Sequence, residues 1–288
     1  MTARNQIKEF SYQAGWRSRG RHPGRHASSQ RGLGMEFRGH APLIAYPDPR
    51  RIDLRQTMRD PFDQVWVRIF NQKSSIPVYV VCDLSGSMGF SGQMRKLQVA
   101  SDIAASAAWS AYRVNDPFGF IGFDDQVRED WMFSSSVKVH GAFDIAERLA
   151  SYRPGHVGAQ GLQDVSRFLS RERSLVLLVS DFHMPLPELE QALGTLLRHH
   201  VVPMVLWDGA EYRNLPEFGV ASVTDCETGA RRTLFLRKSL RERILQSFEE
   251  RREALEKLFM RCDMPPLFIE DGFEPDDLTE YFYQFVAA

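Results

Sequence analysis

Long apolar runs are missing from this chain of 288 residues. Nothing approaches eighteen consecutive apolar residues, which argues against a transmembrane helix, and the first ten residues lack the apolar stretch of a secretory signal. We therefore expect a cytoplasmic protein with no membrane insertion. With 43% hydrophobic and 25% charged residues, the composition is that of a globular protein able to bury a sizeable core.

Cysteine is also scarce. Cys82, Cys226 and Cys262 are an odd number without CxxC spacing, so the sequence indicates neither a disulfide framework nor a zinc knuckle. No Walker loop is present. Any ATP hydrolysis linked to this protein would therefore belong to a partner.

Charge is balanced overall but unevenly placed along the chain. Residues 1–60 carry 12 Lys and Arg against 5 Asp and Glu, and the rest of the chain carries 24 against 32. We interpret residues 1–34 as a basic, flexible arm, because basic termini rich in Gly, Pro and Ser are often poorly ordered. A nucleic-acid-binding arm is the alternative, which we consider unlikely.

The order of the predicted elements indicates an α/β fold. Residues 35–75 form a small strand-rich lead-in, and from residue 76 onward strands alternate with helices as far as residue 288. This alternation predicts a doubly wound, mainly parallel sheet with helices on both faces. A hairpin insertion is expected near residues 210–237.

The most informative motif is Asp83-Leu84-Ser85-Gly86-Ser87-Met88, which directly follows the apolar run of residues 76–82. Asp181 likewise closes an apolar strand, residues 174–180. Because ligands of parallel sheets collect beyond the carboxyl ends of the strands, Asp83, Ser85, Ser87 and Asp181 are expected to meet in one crevice if the two strands are neighbours. Carboxylate and hydroxyl oxygens are the ligands that Mg²⁺ or Mn²⁺ prefers.

These residues resemble the von Willebrand factor A fold, whose metal-ion-dependent adhesion site uses an Asp-x-Ser-x-Ser loop. The resemblance implies that a threonine on a second loop and an aspartate on a third assist the metal, and Asp181 matches the aspartate. The second loop departs from the pattern, since residues 154–162 contain no hydroxyl. His156 falls near the expected position, but imidazole is a poor ligand for Mg²⁺, and we interpret it as a loop residue without metal contact.

Several further motifs occur in order along the chain: residues 32–37, 51–53, 83–88, 215–219 and 225–229. Together they resemble the bacterial "domain of unknown function fifty-eight" family, which includes MxaS-like proteins, over roughly residues 24–286. The resemblance implies a MoxR-type AAA+ ATPase as partner, because members are typically encoded beside one. It also implies a non-enzymatic adaptor or co-chaperone that helps to mature, or load metal into, a client protein.

Two other interpretations of the motif remain open at this point. In the first, Asp83 only caps the following helix while Ser85 and Ser87 satisfy backbone donors. A serine hydrolase would instead use Ser87 as nucleophile, with Asp208 and His199 or His200 as partners. Serine hydrolases of this kind carry a Gly-x-Ser-x-Gly elbow, and the sequence around Ser87 departs from it because Ser85 stands where the first glycine belongs.

Overall fold

The computed structural model describes residues 8–16, 23–90, 92–155, 158–212, 218–224 and 231–285. It divides the chain into a smaller unit, Ala14–Ile76, and a larger one, Met1–Gln13 with Pro77–Ala288. In the smaller unit, β1 (Pro23–Pro42) pairs antiparallel with β2 (Trp66–Ser74), and the short helix α1 (Leu54–Thr57) lies between them in the chain. Asp53 begins α1 by accepting the N–H groups of Arg55 and Gln56.

The larger unit contains the remaining regular elements. Its strands are β3 (Val78–Asp83), β4 (Phe118–Phe123), β5 (Val127–Ser136), β6 (Leu175–Ser180), β7 (His200–Leu206), β8 (Gly219–Thr224), β9 (Arg231–Leu236) and β10 (Leu267–Ile269). Its helices are α2 (Lys96–Val114), α3 (His140–Ser151), α4 (Leu186–Leu196), α5 (Lys238–Arg261) and α6 (Pro275–Phe285).

A six-stranded sheet in the order β10-β7-β6-β3-β4-β5 forms the centre of this unit. Its strand pairs are parallel except β4 with β5, which form the predicted antiparallel hairpin. Every residue of β3, β4 and β6 is buried, as expected of central strands covered on both faces. The predicted fold class is therefore confirmed.

Helices cover the two faces of the sheet because successive side chains of each strand point to opposite sides. Tyr79 and Val81 of β3 share a core with Leu189 of α4 and Phe259 of α5. Helix α2, rich in buried alanine, contacts β3 and β4 closely. β8 and β9 pair antiparallel within the predicted insertion.

The chain moves outward in both directions from β3, to β4 on one side and to β6 and then β7 on the other. The carboxyl ends of β3 and β6 therefore flank a topological switch point, where open parallel sheets collect ligands. Asp83 ends β3 and Asp181 follows β6, so both predicted carboxylates lie at this point.

The structure differs from the predicted flexible arm of residues 1–34 where it describes that segment. Phe10 and Tyr12 are buried in the larger unit, where the Tyr12 hydroxyl donates to Asp116 at 2.6 Å. Residues 23–34 belong to β1, so the lead-in strand starts earlier than residue 35. Sequence periodicity missed the contacts of Phe10 and Tyr12 because their partners lie about 100 residues away along the chain.

No helix among the described residues is long and apolar enough to cross a bilayer.

Gly122 of β4 provides a test of the central packing. A Cβ there would lie 2.7 Å from Leu84 Cδ1 and 2.7 Å from Trp131 Cβ. Gly122→Ala should therefore lower the free energy of unfolding by about 1–3 kcal/mol through overpacking. Gly194→Ala in α4 is the matched control, because a Cβ there meets no heavy atom within 4 Å; we expect it to be neutral or stabilising. Urea denaturation followed by circular dichroism measures both, and an unchanged midpoint for Gly122→Ala would contradict the packing.

Candidate metal site and its buried lysine

Asp83 anchors the candidate site from the end of β3. Its side chain is buried, and its Oδ1 accepts the N–H of Ser85 at 2.8 Å while its Oδ2 accepts the hydroxyl of Ser180 at 2.6 Å. Ser180 is the last residue of the neighbouring strand β6. The hydrogen bond between Asp83 and Ser180 therefore ties together the two strand ends on which the site is built.

The four predicted ligands lie together. The Ser87 hydroxyl donates to Asp181 Oδ1 at 3.2 Å, and the hydroxyl oxygens of Ser85 and Ser87 are 3.2 Å apart. Ser85 and Asp181 are buried, and Ser87 lies at the start of the short 3-10 segment Gly86–Gly89. Convergence of Asp83, Ser85, Ser87 and Asp181 follows the expectation from their positions at adjacent strand ends.

The described part of the second loop lies beside the first. The side chain of Pro154 lies against Gly89, where a Cβ would come within 3.2 Å of it. Further along, the Gly161 N–H donates to the Asp124 carbonyl at 2.9 Å. His156 lies outside the described residues, so the prediction that it makes no metal contact stays a prediction.

Lys96 is the residue that sequence reasoning missed. Its ammonium is fully buried and donates to Asp181 Oδ2 at 2.8 Å, and it also forms an ion pair with Glu211. Lys96 is the first residue of α2, whose N-cap is Arg95. Two cations at a helix N-terminus oppose the helix dipole, and this anomaly is the sequence signal that could have identified Lys96.

Asp208 positions both Lys96 and Glu211. Its Oδ2 accepts the N–H groups of Gly92 and Met94 in the loop before α2, at 3.1 and 2.8 Å, and its Oδ1 accepts the Ala210 N–H at 2.8 Å. The last bond begins the 3-10 segment Gly209–Glu211. A Cβ on Gly92 would lie 2.7 Å from Asp208 Oδ2, so the close approach requires glycine.

Burial and neighbouring charges shift the pKa values of the two strand-end carboxyl groups, Asp83 and Asp181, in opposite directions. Burial, with a smaller contribution from the charge of Asp181, raises the pKa of Asp83 from 3.8 to about 7. Burial also acts to raise the pKa of Asp181, but the charges of Lys96 and His183, together with hydrogen bonds from Lys96 and Ser87, outweigh it and the pKa falls below its ordinary value. Asp181 is therefore ionised at neutral pH, whereas Asp83 is poised near neutrality.

Burial and neighbouring charge also act on the pKa values of Lys96 and His183. Burial acts to lower the pKa values of Lys96 and His183, but the charge of Asp181, with help from Glu211, raises both. His183 Nε2 lies 3.6 Å from Glu211 Oε2. Asp181 and Glu211 thus serve as counter-ions for the cations around the site.

The donor set matches a hard divalent cation in its chemistry, because all four predicted ligands offer oxygen atoms. Over the described ranges, no three His, Cys, Asp or Glu side chains gather as a metal cluster. This finding agrees with the composition of the predicted set, in which two of four ligands are serines. The prediction did not include the hydrogen bond from Lys96 to one carboxylate oxygen of Asp181.

The residues proposed for a serine hydrolase do not assemble, which corrects that alternative. His199 and His200 lie at the amino end of β7, whereas Ser87 lies beyond the carboxyl ends of the strands. The Ser174 N–H donates to His199 Nδ1 at 3.3 Å. Asp208 is instead occupied by backbone N–H groups of the loop before α2. Local spacing cannot show which edge of a sheet a residue occupies.

The sheet order defines the chain as an α/β protein with an open, mainly parallel sheet, and the Asp-x-Ser-x-Ser loop at the switch point resembles that of the von Willebrand A-like class. Within that class the match is more specific. Residues 47–254 match the family model described as "Protein of unknown function DUF58", and the chain belongs to that family.

One curated relative adds to this match. The chain is similar to an "Uncharacterized protein in moxR 3'region" from Paracoccus denitrificans, with 33% identity over 101 residues. The aligned region covers 35% of this chain and 96% of the relative.

Solved structures show weaker likenesses. The conserved hypothetical protein BatB from Bacteroides thetaiotaomicron is 12% identical with a TM-score of 0.45, covering 74% of this chain and all of BatB. Proximal thread matrix protein 1 from the mussel byssus, solved with a zinc-occupied MIDAS motif, is 13% identical with a TM-score of 0.39 over 74% of this chain and 47% of its own. The assignment above does not depend on these likenesses.

Asp83→Asn tests the electrostatics in EDTA. A raised pKa means that the folded protein binds the Asp83 proton more tightly than the unfolded chain, so its contribution to stability is present below about pH 4 and lost as pH rises to about 7. Asp83→Asn should remove that loss and raise the free energy of unfolding at pH 8 by on the order of 2 kcal/mol. Asp208→Asn is the control with the opposite sign, because amide N–H groups lower the pKa of Asp208 despite its burial. Urea titrations from pH 4 to 8 give both differences, and destabilisation by Asp83→Asn at pH 8 would favour the helix-cap interpretation.

Proposed function

We propose that this protein is a metal-dependent protein-interaction module, acting as adaptor or co-chaperone with a MoxR-type AAA+ ATPase in the maturation or metal loading of a client protein. One observation carries the proposal: Asp83, Ser85, Ser87 and Asp181 converge at the switch point of the sheet. These are the four residues that would hold Mg²⁺ or Mn²⁺.

A bound divalent ion would supply positive charge at a crevice whose own carboxylates are negative. The protein side chains hold the ion from within the crevice, which leaves its outward side for an Asp or Glu of the partner. Such a charge-assisted contact in a partly dry crevice gives specificity and makes binding conditional on metal. The buried hydrogen bond between Asp83 and Ser180 keeps the two strand ends in register for this task.

The choice of partner rests on the family and on one relative. The similar Paracoccus denitrificans protein is named for its position in the moxR 3' region. This name supports a MoxR-type ATPase as the partner of that protein, and we extend the proposal to this chain through their similarity. The client protein is defined in the proposal only by its need for the ATPase.

The first test of this proposal is thermodynamic. If Mg²⁺ binds with a dissociation constant of about 1 mM, then about 10 mM Mg²⁺ should raise the free energy of unfolding by about 1.4 kcal/mol. Asp83→Ala should abolish that response, because it removes one of the two carboxylates. Thermal melts with Mg²⁺ and with EDTA measure both proteins, and an identical response to Mg²⁺ in the variant would place the ion elsewhere.

The second test concerns the partner. A tagged form of the protein should capture a MoxR-type ATPase from the native cells in Mg²⁺ and release it in EDTA, and Asp83→Ala should capture none. Gly194→Ala is the matched control, since it changes a helix remote from the strand ends and should capture the ATPase normally. Capture by Asp83→Ala, or by wild type in EDTA, at the level that wild type reaches in Mg²⁺ would overturn metal-dependent binding.

A further inference from the structure

Lys96 places a fully buried positive charge inside the proposed metal site. Its ammonium lies 2.8 Å from Asp181 Oδ2 and 3.5 Å from the Ser87 carbonyl oxygen, and it also pairs with Glu211. The Lys96 and Asp181 side chains are 0% and 1% exposed. A buried lysine at this depth requires compensation by anionic partners, which the two carboxylates provide.

The ammonium and a divalent ion need the same carboxylate. Asp181 Oδ1 accepts the Ser87 hydroxyl, and Asp181 Oδ2 accepts Lys96. An ion held by Asp181 would lie within a few ångströms of the ammonium, where repulsion between like charges is strong because little water screens them. Full occupancy of Asp181 by Lys96 and by the ion at once is therefore unfavourable.

Glu211 offers Lys96 a second position. It closes the 3-10 segment Gly209–Glu211, which Asp208 anchors, and its carboxylate already pairs with the ammonium. Lys96 can consequently leave Asp181 and still keep a buried counter-ion. The side chain needs to move only between two acceptors that it touches at present.

We propose that Lys96 is a resident cation of the site, which neutralises Asp181 in the absence of a divalent ion and is displaced onto Glu211 when one binds. This proposal rests on the metal site proposed above and adds its regulation. Because the ammonium is fully buried, it cannot offer its charge to a partner's carboxylate. A bound ion could instead be completed by a partner's carboxylate, so the exchange makes partner binding respond to the ion.

Titration calorimetry with Mn²⁺ and Mg²⁺ on the full-length protein tests the exchange. Lys96→Met removes the internal competitor and should bind the ions about tenfold more tightly than wild type. Arg251→Met is the matched control. Arg251 is a half-buried cation that also acts on Asp181 through its charge, but it hydrogen-bonds the carbonyl oxygens of Phe182 and Met184 rather than that carboxylate. A general field effect would tighten binding equally in both variants, whereas direct competition affects Lys96→Met far more.

Glu211→Gln provides a second variant in case Lys96→Met folds poorly, since it leaves Asp181 paired with Lys96. Loss of the second position should weaken ion binding severalfold, whereas a purely structural Glu211 would change stability and leave ion affinity unaltered. A wild-type-like affinity in both Lys96→Met and Glu211→Gln overturns the exchange. Binding by Lys96→Met with none by wild type supports the exchange and overturns the metal-dependent function of the native protein. No binding by any variant overturns both.

Discussion

Compensation of buried negative charge is the constraint on which this structure depends. The neighbouring parallel strands β3, β6 and β7 are each followed or ended by a buried aspartate, and each carboxylate is compensated differently. Asp208 accepts backbone N–H groups, Asp181 accepts the Lys96 ammonium, and Asp83 accepts the Ser85 N–H and the Ser180 hydroxyl. The backbone N–H donors fix the loop that contacts Asp208. In the proposed exchange, Asp181 can give up the Lys96 ammonium, and Asp83, whose charge is the least compensated, is available to attract a cation. The carboxyl ends of these three strands thus carry one aspartate that fixes a loop and two that belong to the proposed metal site.

These three solutions depend on one another through the loop before α2. Asp208 holds that loop by its N–H groups, the loop delivers Lys96, and the Lys96 charge helps to lower the pKa of Asp181. The same aspartate begins the turn that carries Glu211. A change at the end of β7 would therefore reach the site at β3 and β6 without touching any of its predicted ligands. The Asp-x-Ser-x-Ser loop alone does not reveal this dependence, because Asp208, Lys96 and Glu211 lie outside it.

Much of this architecture could be predicted from the sequence because the relevant signals are local. Continuous apolar runs identified β3 and β6, and the residues after them supplied Asp83 and Asp181, whose meeting needed only that the two strands be neighbours. Lys96 and Glu211 escaped prediction because the charged partners of Lys96, Asp181 and Glu211, lie 85 residues and further away along the chain and no local period links them. The buried aromatic residues near the start of the chain were missed for the same reason. Composition suggested a solvated arm, whereas Phe10 and Tyr12 form ring contacts with Phe282.

Trp207 is an intrinsic fluorophore that lies next to Asp181. Its indole N–H donates to the Asp181 carbonyl oxygen at 2.8 Å, and its ring lies parallel to that of His183 at 6.1 Å between centroids. Indole emission responds to nearby charge and to the quenching imidazole, and both neighbours belong to the surroundings of Asp181. The ring is also almost fully buried, which shields it from bulk solvent. Trp207 is one of five tryptophans in the chain, and its contribution to their combined emission is the part that the charge of Asp181 and the His183 ring can alter.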